Sequence, residues 1–339
     1  MSTFILYPES NDSANFHEEL VQALTSRGWQ KVQHYDNADY QIYTLHPRLL
    51  SRQTRYLLSR TSRKVLLRFE PSVVNPLLYS KRIENLYDQV LNVGQVNTGV
   101  KGLRVIRWPY RAWSNPAIPS RNSDKDPERL LKDSSSTRRD KRCVMVASRK
   151  LPFSRNDNYQ VRSQIARFRH ELGVQVYGMK WGESRWKLLK ENLRIYLFFL
   201  SQLFIPNPAP LVRSFLASKQ EDISEVDDKF EILLRSDFSL VIENSDEYVS
   251  EKILDAFVAG SIPLYRGPDL DQFGIPNSSY IRMPQSLRDI PNVLENLADD
   301  DVEVLRQSAR DFCQVPEGLA SWSPSEVAQV VADAIMEVS

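Results

Sequence analysis

Apolar residues recur along the chain in short runs bounded by polar, Pro or Gly positions, and these runs alternate with segments of helical period. Thr3–Tyr7 (TFILY) reads as a buried strand. Ala14–Ser26 follows with Phe16, Leu20, Val21 and Leu24 on one face, and Gly28 stops it. The pattern then predicts a strand around Tyr40–Leu45, a basic helix over Arg48–Arg60 and a strand at Lys64–Phe69 ended by Glu70-Pro71. Leu103–Trp108 reads as a further strand before Pro109. A second series has strands at Cys143–Ala147, Gln175–Tyr177, Phe238–Ile242 and Ile262–Tyr265, with helices at Tyr159–Glu171 and Ser250–Ala259. Helices are predicted again at Leu287–Leu297, Asp301–Phe312 and Ser325–Glu337. No internal repeat of fixed period is present.

Strands alternating with helices predict an α/β fold with parallel sheets covered on both faces. Two such series predict two Rossmann-like domains facing across a cleft, at residues 1–115 and 142–339. The Ser-, Pro- and charge-rich stretch 116–141 is expected to be a linker or long loop, and the last helix to pack back on the N-terminal domain. Open α/β sheets bind ligands beyond the carboxyl ends of their strands, so a site is expected at the junction.

A length of 339 residues fits two domains better than one. With 42% hydrophobic and 26% charged residues the composition is globular. No apolar run reaches the length of a membrane-spanning helix, the longest being Ile195–Ile205, and MSTFILYPESNDS lacks the basic and apolar regions of a secretory signal. Two cysteines, Cys143 and Cys313, make neither a disulfide framework nor a four-ligand zinc site, so a reduced, cytoplasmic setting is the expectation. The net charge of +1 conceals an asymmetry: 15 Lys/Arg against 9 Asp/Glu in residues 1–115, 21 against 9 in 116–220, and 8 against 25 in 221–339. The basic two-thirds can attract an anionic ligand, while the acidic remainder opposes wrapping by nucleic acid.

The most informative stretch is Phe238–Gly267, FSLVIENSDEYVSEKILDAFVAGSIPLYRG. A buried strand delivers Glu243-Asn244-Ser245 at its carboxyl end. A short loop carries Tyr248, Ser250 suits a helix N-cap, Glu251 and Lys252 fall in the first helical turn, and Gly260 suits the position after the helix. Singly, these are ordinary turn and surface residues. Together they bring an amide, a phenol, a carboxylate and an ammonium to one strand end, the chemistry that holds a nucleotide sugar.

This stretch resembles the signature of the GDP-fucose-dependent α-1,3/1,4-fucosyltransferases, glycosyltransferase family ten. The resemblance is carried by Glu243-Asn244-Ser245, Tyr248-Val249-Ser250-Glu251-Lys252, Ala259-Gly260-Ser261-Ile262-Pro263-Leu264 and Gly267, and more weakly by Phe273, Pro276 and Ser279-Tyr280-Ile281. It implies the two-domain arrangement called GT-B, donor binding in the C-terminal domain, and contact of Asn244, Tyr248, Glu251 and Lys252 with GDP-fucose. Ala147-Ser148, Tyr159–Arg162 and Val174–Gly178 resemble the family's preceding strand, helix and strand, which implies that Arg162 pairs with the diphosphate. Lys64–Pro71 (KVLLRFEP) resembles the family strand that carries the general base, here Glu70, and Pro109-Tyr110 resembles a Pro-Tyr pair near the domain junction. Three departures bear on donor sugar and acceptor rather than on fold: the spacer Asp246-Glu247 is short, Arg235-Ser236-Asp237-Phe238 stands where members carry Tyr-Lys-Phe, and residues 181–226 are longer and more apolar than the corresponding family stretch.

Other candidates carry less. Asp269-Leu270-Asp271 has the spacing many sugar transferases use for a divalent metal, but reads better as a surface loop, and Asp299-Asp300-Asp301 as the start of a helix. His17, His34, His46 and His170 form no spaced metal pair, and no nicotinamide- or ATP-type glycine loop is present. The cations from Arg48 to Arg68 read as a solvated helix face, with nucleic acid, anionic lipid or acidic glycan as alternative partners. The basic, apolar stretch Trp181–Leu216 reads as a buried helix of the C-terminal domain, with peripheral membrane contact through 181–226 as the alternative.

The resulting expectation is an inverting fucosyltransferase that moves L-fucose from GDP-β-L-fucose to an oligosaccharide or glycoconjugate hydroxyl, in α-1,3 linkage, with Glu70 as base and neither metal nor cofactor. The alternatives are a GT-B transferase using another nucleotide sugar, or a non-catalytic protein that binds anions through its basic N-terminal surface.

Overall fold

The computed structural model describes residues 1–7, 14–48, 51–59, 61–95, 106–110, 112–113, 124–150, 157–216 and 222–337. The N-terminal half runs β1 (Thr3–Tyr7), α1 (Ala14–Ser26), β2 (Gln30–Lys31), β3 (Tyr40–Tyr43), α2 (Arg52–Leu58), β4 (Arg63–Arg68), α3 (Lys81–Glu84) and β5 (Gln89–Asn92). A two-stranded link, β6 (Ala112–Trp113) with β7 (Asp124–Lys125), leads to α4 (Pro127–Ser136). The second half runs β8 (Lys141–Val146), α5 (Tyr159–Phe168), β9 (Gln175–Tyr177), α6 (Arg185–Ser201), α7 (Ala209–Leu216), α8 (Lys229–Leu234), β10 (Ser236–Ile242), α9 (Lys252–Val258), β11 (Ile262–Arg266) and β12 (Ile281–Arg282). Three helices close it: α10 (Ile290–Glu295), α11 (Asp299–Gln314) and α12 (Pro324–Met336).

Each half is a five-stranded parallel sheet, ordered β2-β1-β3-β4-β5 and β12-β11-β10-β8-β9. Numbered within its own half, each sheet runs second, first, third, fourth, fifth. The strand order reverses between first and third, and the crevice at such a switch point is where open α/β sheets take ligands. In the second sheet that point lies between β8 and β10.

The central strands are apolar on both faces because helices cover both: Val65, Leu66 and Leu67 of β4, and Leu240, Val241 and Ile242 of β10, are all buried. The α12 helix, although last in the chain, packs on α1. Its Val327, Val331 and Ile335 share one core with Phe4, Leu20, Leu24 and Ile42.

Three expectations change, and a fourth falls partly outside the described residues. Residues 127–136, expected within a linker, form α4, capped by Asp126 through the Glu128 amide and anchored by buried Leu130. Residues 103–105 of the strand read at Leu103–Trp108 lie outside the described residues, and within them Ile106 forms a parallel bridge to Val93. The α6 helix is not buried in the C-terminal domain: only Leu188, Asn192 and Phe199 are covered, and Phe199 packs on Tyr43, Leu57 and Leu66 of the N-terminal half. The cations of 48–68 are not one solvated face either. Lys64 and Arg68 are buried, and Arg68 pairs with Glu84 at 2.7 Å beneath the Tyr79 ring.

Candidate active site

The carboxyl ends of the two sheets meet. The Val249 amide donates to the Gly94 carbonyl at 2.7 Å, and Gln95 and Tyr248 form an antiparallel bridge. A β-carbon on Gly94, at φ +73°, would lie 2.6 Å from the Val249 carbonyl oxygen and 2.9 Å from the Tyr248 ring. Glycine is therefore required where the two backbones touch.

Tyr248 is fully buried in this seam. Its hydroxyl donates to the Phe69 carbonyl at 2.7 Å, and its ring meets Trp108 edge-on at 5.9 Å. Phe69 immediately precedes Glu70, so Tyr248 fixes the strand end from which Glu70 projects. Its hydroxyl is already engaged, which makes this residue a strut between the halves.

Glu70 is exposed at the end of β4, where the charges of Lys150, Glu251 and Lys252 reach it. Desolvation pushes its carboxyl above the ordinary value. The positive charges of Lys150 and Lys252 oppose that rise, and the negative charge of Glu251 adds to it. The carboxyl does not pair with Arg68, which is held by Glu84. A carboxylate of raised proton affinity at a cleft wall is suited to accept a proton from a hydroxyl.

The opposite wall is built around Glu243, fully buried at the end of β10. Its carboxylate accepts from the Ser250 amide at 3.0 Å, the Ser250 hydroxyl at 2.8 Å and the Lys252 ammonium at 3.1 Å. This differs from the expected arrangement, in which Ser250 caps the helix. Glu251 occupies the N-cap position without a side-chain cap, while Glu243 gathers the loop in front of α9. Burial pushes the Glu251 carboxyl up, but the charges of Lys252 and Lys229, a backbone hydrogen bond and Lys150 hold it below its ordinary value. Gly260 does end the helix as read, at φ +63°.

Arg162, in the first turn of α5, is buried. It donates to the Ile242 carbonyl and to Asn244 Oδ1, the latter at 3.1 Å, and its guanidinium stands 4.6 Å over the Tyr159 ring. Among the described residues its Nε has no hydrogen-bond partner. Arg162 and Asn244 are thus locked to one another at the switch point between β8 and β10. Asn158 reinforces that joint, donating to Asp246 at 2.8 Å and accepting from Arg266 at 2.9 Å.

Sequence reasoning missed two residues here. Glu243 stands in the sequence as a strand end within the motif and shows no role of its own there, because its partners lie seven and nine residues on. Lys150 belongs to no motif. It follows β8, and desolvation lowers its pKa while Glu70 raises it. Its charge is felt at Glu70, Glu251 and Arg162 alike.

Among the described residues no group of three or more His, Cys, Asp or Glu side chains is placed to hold a metal ion. Asp269 pairs with Arg282, and Asp271 accepts from Asn277 at 3.2 Å. A cavity of about 810 Å³ lined by Arg63, Lys64, Asp88 and Tyr87 lies at the amino end of β4, away from the Glu70 end.

No family model matches the chain. Among curated proteins, 73 residues are 36% identical to a fucosyltransferase-like protein of Arabidopsis thaliana, a match covering 21% of this chain and only 14% of that protein. Among solved structures, an alpha1,3-fucosyltransferase is similar at a TM-score of 0.54 and 13% identity, with 99% of this chain and 90% of that one covered. An alpha1,3-fucosyltransferase with GDP gives 0.52 at 12% identity, over 99% and 90% of the two chains. At such low identity the likeness is one of fold: two parallel-sheet α/β domains in the GT-B arrangement.

Proposed function

We propose that this chain is an inverting glycosyltransferase of the family-ten type, moving L-fucose from GDP-β-L-fucose to a hydroxyl of a glycan acceptor. One observation carries the reading: the exposed Glu70 carboxylate at the end of β4 lies within electrostatic reach of Lys150, Glu251 and Lys252, beside the Arg162–Asn244 pair at the switch point of the second sheet. A base on one side and an anion site on the other is what transfer between a hydroxyl and a nucleotide sugar requires. The two similar solved structures, both alpha1,3-fucosyltransferases, one with GDP, support the choice of donor.

In this reading the donor lies against the second sheet, with its diphosphate toward Lys252 and Arg162 and sugar hydroxyls toward Glu251 and Asn244. Glu70 takes the proton of the acceptor hydroxyl. The oxygen attacks the anomeric carbon as the bond to the diphosphate breaks, the electron pair leaves with GDP, and the configuration inverts through an oxocarbenium-like state. Charge that develops on the leaving diphosphate meets fixed cations, which stabilise it without reorganisation. Tyr248 sets the position of Glu70 and does not itself touch the donor.

Calorimetric titration with GDP-fucose, GDP-mannose, GDP and UDP-galactose, in the presence of EDTA, tests the donor site. Saturable binding of the guanine ligands with GDP-fucose preferred is expected, and equal or better binding of UDP-galactose overturns the fucosyl reading. Glu70→Gln tests the base. Transfer is expected to fall about 10²–10⁴-fold with GDP affinity retained, and unchanged transfer removes Glu70 from that role.

A further inference from the structure

We propose that the outward face of α6, with the turn that follows it, docks on the surface of an anionic lipid bilayer. The helix turns Leu188, Asn192 and Phe199 inward, and Asn192 donates to Ser214 of α7 at 2.9 Å. Its other side is not the polar face of an ordinary surface helix. Trp186, Leu193, Leu197 and Leu200 recur at i, i+7, i+11 and i+14, so they form one stripe, and they are 60%, 43%, 54% and 37% exposed. The stripe continues past the helix end into Leu203 and Ile205, 64% and 81% exposed. Leu203 has φ +55°, a conformation that favours glycine, yet the chain carries an outward leucine there.

The charge around this stripe identifies its partner. Lys190 and Arg194 interleave with it, three and four positions from its members, and Lys187 borders it. Arg48 of the N-terminal half stands 5.9 Å over the Phe198 ring, which widens the basic rim. Between Trp181 and Leu216 the sequence has two acids, Glu183 and Glu191. Each already faces a lysine, Glu183 with Lys187 at 2.7 Å and Glu191 with Lys180 at 2.5 Å. An apolar stripe with Trp and Leu, rimmed by cations and free of net acid, complements phosphate headgroups above acyl chains. It does not complement a second copy of itself, because twofold pairing would set the same cations against one another. Among the described residues no helix is long and apolar enough to cross a membrane, so the contact is peripheral.

Co-sedimentation of the full chain with phosphatidylcholine vesicles, with and without phosphatidylglycerol, tests it. Binding is expected with phosphatidylglycerol and to weaken with salt. Lys190→Glu with Arg194→Glu is expected to weaken it at least about tenfold, because each basic residue near an anionic surface contributes about fivefold and two are reversed. Leu193→Ser with Leu197→Ser should do the same through lost apolar contact, at an unchanged melting temperature because both side chains are exposed; Trp186→Ser is a milder version should the pair fail to fold. No binding to the anionic vesicles, equal binding to both compositions, or binding indifferent to the leucine substitutions overturns the proposal. So does a dimer, seen by sedimentation velocity, that the leucine substitutions dissociate.

Discussion

Glu70 and Lys150 come from opposite halves of the molecule and feel each other's charge. Desolvation raises the carboxyl and the ammonium opposes that rise, so the two set the working range of the proposed base between them. Glu70 is ionised only above a pKa higher than that of a free glutamate, and transfer is expected to decline as pH falls through that raised value. Lys150→Met removes the opposing charge. The acidic limb of the pH–rate profile should then move to higher pH, and a limb that stays in place would show that Lys150 does not act on Glu70. Neither partner explains the other from sequence alone. Glu70 was legible because it ends an apolar strand in a recognisable setting, whereas Lys150 lies in Ser148-Arg149-Lys150, a string without periodicity or motif. Only the approach of the two sheets gives it meaning.

At the scale of elements, the loop before α9 does two separate jobs. Glu243 gathers Ser250 and Lys252 into one wall, while Tyr248 reaches back to the strand that carries Glu70. Tyr248→Phe leaves the Phe69 carbonyl without its partner in a buried seam, a loss of about 1–3 kcal/mol in stability. It should lower kcat while leaving GDP affinity unchanged, measurable by initial rates beside calorimetry. Loss of GDP affinity with kcat intact would instead make Tyr248 a donor contact. The pattern of elements shows which physics reaches the sequence. Strands buried on both faces, such as β4, β8 and β10, announce themselves as apolar runs. The edge strand β2 has two exposed residues, and β5 is QVLN with one residue buried, so neither leaves such a run. The α4 helix leaves little pattern because it buries little beyond Leu130, and α6 is apolar without being buried because much of its apolar content faces outward.

Across the whole molecule, the two halves are not independent bodies. The chain crosses from the first to the second and then returns, with α12 completing the core under β1 and β3. Arg27 pairs with Asp333 at 2.8 Å, and Gln89 donates to the Ala334 carbonyl at 2.8 Å, so the return is fastened at its rim as well as through its core. Ile335→Ala is expected to destabilise by about 2–5 kcal/mol. Hydrogen exchange should report that loss at β1 and β3, not at β10 and β11, even though the substitution lies beyond the second sheet in sequence. Equal loss in both sheets would show that they unfold as one unit.

The returning helix also orders events in time. Arg27 and Asp333 are 306 residues apart. At a synthesis rate of roughly 5–20 residues per second, α1 leaves the ribosome about 15–60 s before the helix that covers it. Through that interval Leu20, Ala23 and Leu24 lack their mates, and the half that is made first is the half that finishes folding last.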